Sequence, residues 1–76
     1  MKLETVLSNL VNGNITNAVK GARRFSDRAI ADYAIENLGY DNQEGRATAL
    51  FLKGKINYQD YCDGMDDEKV IDFAQI

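Results

Sequence analysis

Apolar residues recur at helical spacing along nearly the whole chain, and no stretch alternates apolar with polar as a strand would. That pattern confines the 76 residues to an all-α fold. Each segment carries a stripe to bury, and only other helices are present to cover it. Leu3, Val6, Leu7, Leu10 and Val11 form the first stripe, which Asn12-Gly13 stops because glycine accepts the left-handed conformation at a helix end. Ile15, Ala18, Val19 and Ala22 form the second, with Thr16 as its N-cap. Phe25-Ser26 breaks that helix, and Ser26 followed by Asp27 reads as the cap of a third, Asp27–Leu38, lined by Ile30, Ala31, Ala34, Ile35 and Leu38.

Gly39 closes the third helix, and Asp41 or Asn42 caps a fourth, Gln43–Lys53, which presents Ala47, Leu50 and Phe51. Gly54 ends it. Asn57 caps a shorter segment with Tyr58 and Tyr61, and Asp60 three residues on suits a capping box. Val70, Ile71, Phe73 and Ala74 suit a last amphipathic turn or a frayed end. "LVNGNITNAV" and "FLKGKINYQD" echo one another, each reading as helix, tight corner and capped helix. The expectation is a single domain, a small four-helix bundle with one or two short extra helical segments. Without disulfide or metal staples, a chain this short is expected to be marginally stable or helped by a partner.

Catalytic chemistry finds little to use. There is no histidine, which removes the usual general base, the commonest zinc ligand and the Ser-His and Cys-His nucleophile pairs. Cys62 is the sole cysteine, so no internal disulfide can form; Asp60 and Asp63 flank it, and acids make a thiol less reactive. "DYCDGMDDEKV" resembles a calcium loop only in composition. With Gly64 in the sixth position, Gln59, Tyr61 and Val70 fall where carboxylates belong, and the frame around Gly45 fails in the same way. The six glycines sit singly at helix boundaries and form no phosphate-cradling loop. No enzyme, metal or cofactor is expected. "MKLETVLSNLV" lacks the apolar core of a signal peptide and "ATALFL" is too short to span a bilayer, so a soluble, cytoplasmic monomer is expected.

Charge is the informative feature. Residues 1–30 hold five cations against two acids, residues 31–55 three against four, and residues 56–76 one against six. The chain is therefore polarised from a basic start to an acidic end. Lys20, Arg23 and Arg24 share the polar side of the second helix, and Arg28 lies across the corner in the first turn of the third. Four cations at one corner suffice for weak, salt-sensitive contact with two or three phosphates. The alternatives are cations favoured by a helix C-terminus, or docking on an acidic protein. Asp63, Asp66, Asp67 and Glu68, within the acidic stretch from Asp60 to Asp72, are the candidate protein-binding face. One basic residue on the third helix makes it a poor recognition helix. Tyr40, Tyr58 and Tyr61 are the aromatic candidates for stacking on bases.

The corners "VKGARRFSDRAIADYAIENLGYD" and "FLKGKINYQDYCDG", with the length and the run of capped helices, carry a resemblance over essentially the whole chain. The chain resembles the small accessory-protein family encoded beside UvsW, the recombination helicase of T-even bacteriophages. That family is similar in fold to the helicase-and-RNaseD C-terminal module of RecQ helicases, a structure-specific nucleic-acid binder. The resemblance implies a helicase accessory in phage DNA recombination and repair, with branched or single-stranded DNA as partner. The implied contact residues are Lys20, Arg23, Arg24 and Arg28, with Lys53 and Lys55 across the bundle.

Overall fold

The computed structural model describes residues 1–65. It holds five helices: α1 Leu3–Val11, α2 Ile15–Ala22, α3 Asp27–Asn37, α4 Asn42–Leu52 and α5 Tyr58–Asp63. No strand occurs among the described residues. The fold is a small all-α bundle. α1 and α2 form one helical hairpin, α3 and α4 a second with the most extensive packing, and the short α5 lies on α4. The expected last turn from Val70 to Ala74 lies outside the described residues.

Local chemistry explains the boundaries. Gly13, Gly39 and Gly54 adopt φ of 83°, 69° and 73°, the region where a side chain is strained. At two of these corners the residue after glycine donates its N–H to the carbonyl five residues back: Asn14 to Asn9 at 2.8 Å and Lys55 to Leu50 at 2.9 Å. This six-to-one bond closes the helix end and is the physical content of the sequence echo. Three starts are capped by side chains. Ser26 Oγ accepts from Ala29 N–H at 3.1 Å and Asn57 Oδ1 from Asp60 N–H at 2.8 Å. Asp41 and Glu44 form a full capping box, each side chain accepting from the other's backbone N–H at 2.8 and 3.0 Å.

α2 begins earlier than expected. Its N-cap is Asn14, whose carbonyl accepts from Ala18 N–H at 3.1 Å, so Thr16 lies inside the helix and caps nothing. Val11 is a second departure, 49% exposed. At 100° per residue it sits about 90° round α1 from the centre of Val6, Leu7 and Leu10, off the buried stripe.

The core comprises Val6, Leu7 and Leu10 of α1, Ala18 and Ala22 of α2, Ile30 and Ala34 of α3, Ala47, Ala49 and Leu52 of α4, with Tyr40, Tyr61 and Met65. Burying each large aliphatic here contributes roughly 1.5–3 kcal/mol. The many alanines let helix axes approach closely, and two glycines go further. Gly21 and Gly45 lie within α2 and α4, not at helix boundaries. A Cβ at Gly45 would stand 2.7 Å from Ile35 Cγ1 and 2.9 Å from the Ala31 carbonyl oxygen. Only glycine lets α4 cross α3 at that point.

Candidate functional site

α3 and α4 run antiparallel, so the start of α3 lies beside the end of α4, and the α2–α3 corner meets both. Lys53, the C-cap of α4, reaches into that corner. Its Nζ donates to the Phe25 carbonyl at 2.8 Å and, more weakly, to the Ala22 carbonyl at 3.4 Å, which also accepts from Phe25 N–H at 3.1 Å. A cation there also meets the negative end of the helix dipole. Two residues on, Lys55 Nζ pairs with Asp27 Oδ2 at 2.5 Å. The two lysines thus lie against the basic corner rather than across the bundle from it, and their ammonium groups hold that corner in place.

Lys20, Arg23, Arg24 and Arg28 are all exposed. Arg28 lies 3.8 Å from Asp32 in a pair one turn apart, with the Arg28 side chain 92% exposed. Such a pair is worth only a few tenths of a kcal/mol and yields readily to a stronger anion. Lys20, Arg23 and Arg24 have no ion-pair partner among the described residues. Asp27, the one acid in the stretch, is occupied by Lys55.

Arg46 extends the site. A cleft of about 210 Å³ between α3 and α4 is lined by Asp27, Arg28, Ala31, Arg46, Ala49 and Leu50. It exists because Ala49, one turn beyond the Gly45 crossing, stands with Ala31 where larger residues would fill the space. Arg28 therefore belongs both to the corner and to the cleft, whose other guanidinium is the exposed Arg46. Arg46 is 18 positions from Arg28 in a segment of mixed charge. Its spacing of three and four from Ala49 and Leu50 was the only sequence signal that it shares their side of α4.

The tyrosines expected to stack on bases do not serve that purpose as a group. Tyr61 is fully buried and Tyr40 is 8% exposed. Tyr61 lies flat on Phe51 with ring centroids 4.7 Å apart, and the half-buried Tyr58 meets Phe51 edge-on at 6.2 Å. They form an aromatic cluster that seats α5 on α4.

At the other end of the bundle, Asp41, Glu44 and Asp63 line a shallow hollow with Gln43, Gly64 and Met65. Glu44 is 3% exposed and locked in its capping box, while the exposed Asp63 accepts from Gln59 Nε2 at 3.1 Å. Asp66, Asp67 and Glu68 lie outside the described residues. Residues 1–65 carry eight cations and eight acids and are electrically neutral; the chain's net −3 arises in residues 66–76, with one lysine and four acids. No group of acids or cysteine with metal-binding geometry occurs among the described residues, nor any helix long and apolar enough to cross a membrane.

Fold and site together define a small helical module with one cation-rich end. No family model, curated protein or solved structure matches the chain.

Proposed function

We propose that the protein is a non-catalytic accessory module of phage DNA recombination and repair. It binds branched or single-stranded DNA weakly through its basic corner and acts with a helicase in the host cytoplasm. The observation that carries the reading is the exposure of Lys20, Arg23, Arg24 and Arg28 around a corner that Lys53 and Lys55 hold in shape. Long cationic side chains on a fixed base can follow a phosphate backbone without reading its sequence. The resemblance to the helicase-associated family supplies the biological setting.

The test is a titration of the protein into labelled single-stranded, duplex and forked DNA, followed by anisotropy. Two or three phosphate contacts on duplex predict a loss of roughly ten- to fortyfold in affinity between about 50 and 200 mM salt. The double variant Arg23→Ala/Arg24→Ala should abolish binding. Absence of binding at the lower salt, or affinity indifferent to salt, would reject the reading and turn the search toward protein partners.

A further inference from the structure

We propose that the α3–α4 cleft receives one unstacked base of a single strand or frayed fork, with Arg28 and Arg46 engaging its flanking phosphates. The inference rests on the DNA-binding reading and adds what that reading lacks, a feature able to tell single strands from duplex. At about 210 Å³ the cleft is of a size for one base rather than a base pair. Its floor is apolar, from Ala31, Ala49 and Leu50, so the face of a base is the part of a nucleotide it suits. Arg28 and Arg46 contribute planar guanidinium groups, which pair with phosphate oxygens and lie flat on aromatic rings.

Charge favours this occupant over a neutral peptide. The acid in the lining, Asp27, is paired with Lys55, while Arg28 is held only by its exposed pair with Asp32 and Arg46 has no ion-pair partner among the described residues. Through Arg28 the cleft is continuous with the corner of Lys20, Arg23 and Arg24, so a strand whose base enters the cleft has cations along its adjoining phosphates. In duplex DNA the base faces are covered by stacking, and the cleft has nothing to take. A preference for single-stranded or forked DNA follows from the cleft, whereas affinity and salt dependence follow from the corner.

The experiment compares full-length protein binding to labelled oligothymidylate and to an abasic strand of equal length and charge, at low salt. Expected is binding to both, roughly tenfold tighter when bases are present, in keeping with the contact energy of a single base. Ala31→Leu, which fills the cleft, should bring the two affinities together while leaving the salt slope unchanged. Arg46→Ala, at an exposed position that does not threaten folding, should reduce the difference and lower the salt slope by about one contact. Equal binding of the two strands by the unaltered protein would overturn the base site while leaving the phosphate corner standing. No binding to either would remove the DNA reading and this inference with it. If the strands bind equally and a peptide of residues 66–76 binds the unaltered protein but not Ala31→Leu, the cleft is the seat of the chain's own acidic segment, and the inference fails.

Discussion

At the N-terminal end of α4, Asp41 and Glu44 hold one another in a capping box, and the neighbouring Asp63 is bonded by Gln59. At its C-terminal end, Lys53 and Lys55 are committed to the α2–α3 corner, yet Lys20, Arg23, Arg24 and Arg28 stand around them in solvent. Both ends use charge to fasten the fold. Among the described residues, only the basic end displays a further set of charges on a fixed base. Abundance of charge in a sequence therefore says little about its availability: Asp41 and Glu44 serve a helix terminus, whereas among the described residues Arg28 has only its exposed pair with Asp32 and Lys20, Arg23 and Arg24 have no ion pair.

The largest expected effect tests the helix crossing that relates the two ends. Gly45→Ala gains up to about 1 kcal/mol of helix propensity, but its Cβ meets the Ala31 backbone oxygen, which cannot rotate away. Overpacking of this kind costs about 1–3 kcal/mol, so a net loss of stability is expected in denaturant titration. Gly21→Ala should be milder. The obstacles there are the side chains of Val6 and the half-exposed Met1, and the latter can move. Equal effects at the two glycines would show that α3 and α4 can part without cost.

Next comes the acidic end. Asp41→Ala removes the N-cap and leaves the Glu44 backbone N–H without its acceptor, for an expected loss of about 1–2 kcal/mol. At the basic end Lys53→Met keeps the aliphatic stem but takes from the Phe25 carbonyl the ammonium that donates to it, an expected loss of about 1 kcal/mol. It should also weaken DNA binding, because the cations of the corner lose their support. A Lys53→Met protein that binds DNA as before would separate the corner's shape from its function.

Much of this was legible in the sequence, and for a local reason. Helix ends are decided within a few residues, so Gly13, Gly39, Gly54, Ser26 and Asn57 could be assigned from the residues themselves, and the cap of α4 narrowed to Asp41 or Asn42. What required the fold was every property set by a distant neighbour. Gly21 and Gly45 read as breakers until another helix is seen to press on them. Val11 belongs to a stripe in one dimension and to the surface in three. Lys53 and Lys55 are merely cations until the α2–α3 corner is brought against them, and Arg46 joins the site only because α3 and α4 are antiparallel.

Tyr61 offers a finer comparison within the aromatic cluster. Its hydroxyl is buried without a hydrogen-bond partner among the described residues, while the neighbouring Thr48 hydroxyl donates to the Glu44 carbonyl at 2.9 Å. Burial, reinforced by Tyr40 and only partly opposed by the nearby Thr48 hydroxyl, which lies outside hydrogen-bonding geometry, pushes the phenol well above the ordinary tyrosine value of 10.0. Tyr61→Phe should therefore be neutral or stabilising by up to about 1 kcal/mol, since no bond is lost. Above pH 10.0 the unfolded chain releases this proton while the folded chain retains it, so stability falls as pH rises and Tyr61→Phe makes the fall shallower. A destabilised Tyr61→Phe would mean that the hydroxyl has a partner in solution.

The smallest effect is the most telling for the contrast between the two ends. Lys20, Arg23 and Arg24 are exposed and have no ion-pair partner among the described residues, so Arg23→Ala/Arg24→Ala should leave stability within about 0.5 kcal/mol. Relief of repulsion among neighbouring cations even favours a slight gain at low salt, fading as salt screens the charges. DNA affinity, in contrast, should vanish in the same variant. Thermal unfolding and anisotropy on one preparation would measure both. Unchanged melting with lost binding means the outer cations are held for a partner. A loss of stability comparable to that of Lys53→Met would mean that they fasten the helix end too, and the two ends of the bundle would then be alike in how they use charge.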